Sequence, residues 1–254
     1  MPVMLHDSWT IHRFEAVDST QTVAADLIAR GAPHRTVVVA ERQTAGYGRK
    51  GDVWRDVPGS CLLMTVIVRP VHDTGTNRYA MIASLACLDA IREMSGLAAR
   101  LKWPNDVLLH ERKVAGILGD ATWRGMRLEA LRIGVGINIA GDRAHFVARG
   151  LPNASSIAAE GAHDIDREAV FASFLAAFSR WEDASSEERA SLVAAWRECV
   201  ATMGRAVIAT GVDGHVAMGR ATGVTDDGDL IVTTEAGEAT CLRATDIHSL
   251  RHAE

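Results

Sequence analysis

Hydrophobic residues along this chain follow two different periods, and the switches between them mark out its elements. Residues 36–41 (TVVVAE) and 61–68 (CLLMTVIV) are unbroken apolar runs of strand length, the pattern of strands covered on both faces. Between them, residues 42–59 turn polar and glycine-rich. Ahead of them, Val23, Leu27 and Ile28 fall on one helical face, with Ser19 where an N-cap belongs and Gly31 where the helix should stop. Helical spacing returns over residues 77–94 and ends at Gly96. Three short strands are expected next, around Leu101, over 107–109 and over 114–118, and then one longer strand over 126–139. Residues 141–165 carry no period. Two helices follow, near 166–184 and 187–200.

From Gly204 the texture changes. Short β-rich runs (AVIAT, HVAMGRATGV, DLIVTTE, EATCLRA) are separated by the Gly-Asp turns GVDGH and TDDGD, which predicts a small all-β barrel. The order of elements predicts an α+β fold: a mixed-sheet catalytic domain over residues 1–202 and the barrel over 203–254.

Composition narrows the function classes. Apolar residues make up 48% of the 254 and charged residues 23%, as in ordinary globular proteins. The formal net charge of −5 gives no overall basic field, so no nucleic-acid partner is expected. Cys61, Cys87, Cys199 and Cys241 have no metal-site spacing, and Cys61 and Cys87 sit in apolar runs as core residues do. The N-terminus, MPVMLHDSW, shows no signal-peptide pattern, and no apolar stretch approaches the roughly 20 residues that span a bilayer. A cytoplasmic location with no membrane partner is therefore expected.

Three motifs interrupt the apolar pattern with chemistry. The first is Glu41 to Trp54, ERQTAGYGRKGDVW. Its glycines free the backbone to approach a ligand, and Arg49 and Lys50 add positive charge suited to phosphate or carboxylate. Its GxGxxG spacing opens no helix, and it lacks the GK[ST] ending of a P-loop. Taken alone it reads equally well as a solvated surface loop. The second is Lys102-Trp103-Pro104-Asn105-Asp106. Pro104 biases Trp103 to an extended conformation, and Asn105-Asp106 suits a tight turn, so an ammonium, an amide and a carboxylate gather at one strand end. Such groups within an apolar stretch need partners. The third is KVAGILG, residues 113–119, where a lysine enters a strand whose Ala115 and Gly116 leave room for a ligand. Alone, Lys113 reads better as a charge that blunts a strand edge.

In order, VDST (17–20), ERQTAGYGRKG, KWPND, KVAGIL and GVGIN (134–138) closely resemble the biotin–protein ligase family, from about residue 14 to 250. The pairing of KWPND with KVAGIL is the specific part. The family's loop usually reads GRGRRG. Here Tyr47 replaces the first arginine, Arg49 keeps the second, Lys50 replaces the third, and Asp52 stands where another basic residue is common. The resemblance implies a biotin/lipoate-ligase mixed sheet with an SH3-like C-terminal barrel. It implies an ATP-dependent, AMP-forming ligase that makes biotinyl-5'-AMP and passes biotin to a lysine of a biotin carboxyl carrier protein, with Mg²⁺ on the substrate phosphates.

By the same resemblance, Ser19, Thr20, Gln43, Gly46, Arg49, Lys113 and Gly116 would bind biotin. Arg49, Lys50, Trp54, Lys102, Asn105, Lys113 and Asn138 would bind ATP or the adenylate. Lys113, Arg49, Lys102 and Asp106 would be catalytic, and no protein metal site is implied. For Ser19 a plain helix cap, and for Asn138 a turn residue, are competing roles. Arg243 reads better as a solvated strand residue than as a nucleotide contact. Some family members carry an N-terminal helix-turn-helix and repress transcription. Only 16 residues precede VDST here, so the short form without repressor activity is expected. Monomers and homodimers both occur in the family, and the sequence leaves that choice open. A lipoate or octanoate transferase and a non-enzymatic biotin sensor are the rivals. KWPND with the glycine loop speaks against the first, and retention of Arg49, Lys102, Asp106 and Lys113 against the second.

Overall fold

The computed structural model describes residues 9–55, 59–70 and 76–253. A seven-stranded sheet forms the frame. Its strands are β1 (Thr10–Val17), β2 (Thr36–Gln43), β3 (Cys61–Val68), β4 (Arg100–Lys102), β5 (Asp106–Leu109), β6 (Arg112–Arg124) and β7 (Arg127–Asn138). Their order in space is β1-β2-β3-β7-β6-β5-β4. Only β1 and β2 pair in parallel, which makes the sheet mixed, as expected. β3 is buried at all eight positions, which explains its unbroken apolar run.

Helices cover both faces. On one, α1 (Thr20–Ala29) packs Ala24 and Ile28 against Val38, Ile67 and Ala130. Ser19 caps it, its side chain accepting from Gln21 N, and Gly31 follows with a positive φ of 86°. On the other face lie α2 (Thr76–Ser95), α4 (Arg167–Glu187) and α5 (Arg189–Cys199). No helix among the described residues is long and apolar enough to cross a membrane.

The C-terminal strands β8 (Ala206–Gly211), β9 (Val216–Val224), β10 (Leu230–Thr233), β11 (Ala239–Leu242) and β12 (Ile247–His252) form a second, wholly antiparallel sheet ordered β11-β10-β9-β8-β12. This is the SH3-like element the sequence predicted. Alternate residues point inward: Val207 and Ala209, then Leu230 and Val232. These join the same continuous core as the large sheet, so the barrel is packed onto the frame.

Three elements were not foreseen. β1 is an edge strand with no position fully buried, so its apolar signal is weak. α3 (Arg143–Ala148), capped by Asp142, spans six residues inside the stretch read as irregular. β12 follows a one-turn 3-10 helix (Ala244–Asp246) and mixes charge with its buried Ile247 and Leu250. The strand expected over 114–118 extends to Arg124, because β6 and β7 form a long hairpin turning at Gly125.

Candidate functional site

The sheet face beneath α1 opens into a cavity of about 540 Å³, within the range of small-molecule sites. Its floor is set by alternation along β7. Gly134, Gly136 and Asn138 share one face, opposite Thr65, Leu63 and Cys61 of β3 and Leu118 and Gly116 of β6. From Gly134 to Asn138 the floor runs about 13 Å, at roughly 3.3 Å per residue. The glycines are steric necessities. A methyl group at position 136 would overlap the Trp54 indole, and one at 116 would sit 3.1 Å from Trp54 Cζ3.

Near Gly134 the walls are polar and uncharged. Thr65 Oγ1 donates to Thr20 Oγ1 at 2.8 Å, and Thr20 donates to Gln43 Oε1 through its backbone N–H at 2.7 Å and its hydroxyl at 3.0 Å. With its oxygen so engaged, the Gln43 amide turns Nε2 toward Gly46, where a Cβ would stand only 2.6 Å away. Gln21 lies over Gly134. Its Nε2 donates to Leu118 O at 3.2 Å, and its buried Oε1 has no partner among the described residues.

Farther along, the wall becomes cationic. Lys113 leaves β6 and pairs with Asp106, the first residue of β5, at 2.6 Å, with its ammonium 5.7 Å from the Trp54 ring centroid. β6 lies between β5 and β7, so Lys113 does not blunt a sheet edge. Lys102 stands at the end of β4, and its ammonium makes no hydrogen bond or ion pair among the described residues. Arg49 arrives from the opposite side, on a one-turn 3-10 helix (Arg49–Gly51). Its guanidinium donates to the carbonyls of Ala244 and, at 2.9 Å, Ile247. Burial draws its pKa below the ordinary value, against the opposing pull of Asp106 and Asp52. Arginine remains cationic nonetheless.

Most of the residues singled out in the sequence line this one cavity: Ser19, Thr20, Gln43, Arg49, Trp54, Lys102, Asn105, Asp106, Lys113, Gly116 and Asn138. Gly46 and Lys50 stand outside the lining. Gly46 supports the wall by accepting from Trp54 N at 2.9 Å. Lys50 is exposed and bonds Thr245 O on the barrel. Two amides have structural employment. Asn105 Nδ2 donates to Ile117 O at 3.0 Å, and Asn138 Nδ2 donates to Ser155 O at 2.9 Å. Asn138 is a buried strand residue and not a turn residue.

Sequence reasoning passed over Gln21, Gly134, Gly136 and the barrel's His248, Ser249 and Leu250, all on the cavity wall. The signal for Gln21 was its position directly after Ser19-Thr20, and for the glycines the GVGIN motif. Nothing local marked the barrel segment. Among the described residues no group of three His, Cys, Asp or Glu side chains is placed to hold a metal ion.

A family model, Biotin/lipoate A/B protein ligase family, matches residues 13–138. The chain is 36% identical over 227 residues to a biotin--[acetyl-CoA-carboxylase] ligase of Paracoccus denitrificans, covering 87% of this chain and 92% of that protein. It is 31% identical over 225 residues to the bifunctional ligase/repressor BirA of Bacillus subtilis, covering 88% of this chain and 69% of that one. The solved structure of a biotin protein ligase from Aquifex aeolicus, in complex with biotin and ATP, superposes with a TM-score of 0.81 at 24% identity, over 96% of this chain and 99% of that one, and shows a shared fold. With identity at this level sustained over nearly the whole chain, and with the motifs assembled around one cavity, the protein belongs to the biotin/lipoate protein ligase family, among its biotin–protein ligases.

Proposed function

We propose that the cavity activates biotin with ATP and hands it to a carrier lysine. The observation that carries this reading is the cavity's polarity: a neutral hydrogen-bonding end joined by a narrow glycine floor to a cationic end. Biotin has matching parts, an uncharged ureido ring system, an alkyl chain and a carboxylate. Gln43 Nε2 offers a donor to a ligand carbonyl, and Gln21 Oε1 offers an acceptor to a ligand N–H. Ser19 and Thr20 add hydroxyls beside them. Gly116 and Gly136 leave room for the chain.

In the first step a biotin carboxylate oxygen bonds the α-phosphorus of ATP, and the bond to pyrophosphate breaks. Two anions must meet, so fixed positive groups lower the barrier. Arg49, Lys102 and Lys113 supply them, and Asp106 holds Lys113 in place until substrate arrives. Mg²⁺ would ride on the phosphate oxygens and spread their charge, in keeping with its preference for substrate phosphates over all-protein cages. Trp54 offers an aromatic face to the nucleotide side. In the second step a neutral lysine amine of the carrier attacks the anhydride carbonyl, and AMP leaves with the bonding electrons. Asp106 would take the amine's proton.

On this reading residues 1–202 carry the chemistry and residues 203–254 form the barrel that closes the cavity. The partner is a biotin carboxyl carrier domain. With a net charge of −5 and free cysteines, we place the protein in the cytoplasm without a nucleic-acid partner.

The test is transfer of labelled biotin to a purified carrier domain with ATP and Mg²⁺. Lys113→Ala is expected to lower kcat/KM by about 100- to 1,000-fold, the usual loss for one preorganised charge. Wild-type binding of biotin without transfer would point to a sensor. Neither binding nor transfer would refute biotin as substrate, and lipoate would be tried in its place.

A further inference from the structure

Trp103, the first residue of the turn in KWPND, is held by the C-terminal part of the chain from two directions. Its indole N–H donates to Gly228 O at 2.8 Å, in the turn before β10. Its backbone N–H donates to Thr202 Oγ1 at 3.0 Å. Thr202 is fully buried, and its hydroxyl meets Nε2 of His252, in the last strand, at 3.2 Å. The other ring nitrogen, Nδ1, lies 3.2 Å from the Arg205 guanidinium, which forms a two-pronged pair with Glu111 at 2.5 and 2.6 Å.

Donor chemistry fixes the ring's state. A guanidinium only donates, so Nδ1 accepts. Nε2 then carries the proton and donates to Thr202 Oγ1, which also accepts the Trp103 N–H. Arg205 thus donates to both Glu111 and His252, His252 and Trp103 both donate to Thr202, and the arrangement requires a neutral imidazole. Burial, followed by the charges of Arg205 and Lys102, holds this imidazole down to about 4, so it remains neutral at physiological pH.

The relay ends on the peptide next to Lys102. That ammonium makes no hydrogen bond or ion pair among the described residues and feels Glu111 only through space, so its position follows that of its backbone. We propose that His252 is a positioning residue. Through Thr202 it holds the Trp103 peptide, and with it Lys102, at the cationic end of the cavity, so the last barrel strand tunes nucleotide affinity while leaving biotin affinity alone. The inference rests on the ligase reading and gives the barrel a specific task within it. The restraint is graded, because β4 is also tied to the segment after α5 through Ala201 N and Leu101 O at 2.6 Å.

The experiment measures biotin-dependent pyrophosphate exchange with the full chain. His252→Ala is expected to raise KM for ATP about five- to twentyfold, with KM for biotin changing less than threefold. His252→Gln is expected to recover most of the loss, because its amide presents an acceptor and a donor at nearly the spacing of the two ring nitrogens. Thr202→Val, close in shape but without the hydroxyl, should reproduce the ATP effect even if His252→Ala folds poorly, whereas Thr202→Ser should behave as wild type. An unchanged KM for ATP in both His252→Ala and Thr202→Val overturns the inference and leaves the ligase reading standing. So does a parallel rise in both KM values, or a glutamine variant no better than alanine at equal Tm. Absence of exchange in the wild type overturns both.

Discussion

The glycine loop and the KWPND turn both bring a cation to the cavity, but on opposite supports. Trp103 anchors the turn: it is only 2% exposed, with both its N–H groups bonded. Lys102 is therefore carried on a rigid mount. The loop has no comparable anchor. Its Val53 is 64% exposed, Lys50 adopts a left-handed φ of 55° that costs a non-glycine residue roughly 1 kcal/mol, and its indole, Trp54, has a buried N–H without a partner among the described residues. What holds the loop down is a set of bonds from Arg49 and Lys50 to barrel carbonyls at residues 244–247. Those same two cations are suited to anions. The turn thus offers charge that is permanently placed, and the loop offers charge that a substrate must win from the barrel.

The largest effect should come from truncating the two tryptophans in parallel. Trp103→Ala removes a fully packed indole and strands the Gly228 carbonyl, so urea unfolding should show a loss of about 3–5 kcal/mol. Trp54→Ala removes a partly exposed indole that makes no hydrogen bond among the described residues, and should cost no more than about 1 kcal/mol while adenylate formation drops tenfold or more. Equal stability losses in the two variants would break the contrast.

A smaller effect is expected at the floor beneath the loop. Gly136→Ala places a methyl group in the volume of the Trp54 indole, and the indole, with its loop, must give way before a buried strand does. Trp54 fluorescence should shift to the red, and biotinyl-AMP should leave the enzyme several-fold faster, with the urea midpoint lowered by less than for Trp103→Ala. Unchanged fluorescence together with a lost cooperative transition would mean that the sheet, and not the loop, yielded.

How far the sequence could be read follows the same division. Elements whose signal is local were legible: the continuous apolar run of β3, the Ser19 cap, the glycine–aspartate turns of the barrel. The gathering of Arg49, Lys102, Asp106 and Lys113 at one cavity was legible only through the family resemblance of the ordered motifs, since alone Lys113 reads as an edge-blunting charge and the glycine loop as a solvated surface loop. What escaped depends on distant partners. β1 has no buried face of its own and exists by pairing with β2. β12 pairs with β8 across about 40 residues of chain. Asn138 carries no mark that its amide is spent on Ser155, and Gln43 none that its oxygen is saturated by Thr20. Lys50 looks like a second phosphate ligand in the GYGRKG string, yet here it faces Thr245. The barrel's share in the cavity, through His248 to Leu250, arises only from packing.

The smallest effect tests the turn's mount by pH. His252 has an ordinary value of 6.5 and is held to about 4 in the fold by burial first, then by Arg205 and Lys102. The unfolded chain therefore binds a proton, as pH drops below 6.5, that the folded chain refuses. Stability from this group is fully present above pH 6.5 and is lost as pH falls toward 4. Because the ring is partly exposed, the loss at pH 5 is discounted to about 1 kcal/mol, or about 2–4 °C in Tm for a chain of this size. His252→Gln has no proton to take up, so between pH 7.5 and pH 5 its Tm should fall by that much less than the wild type's. Glu41, Glu111 and Glu182, whose pKa values are lowered by arginine or histidine partners, also lose stability in acid, but at lower pH, and all three are retained in the variant. Parallel Tm profiles for the two proteins would mean that the imidazole is hydrated in solution and that its bond to Thr202 adds nothing to the turn's mount.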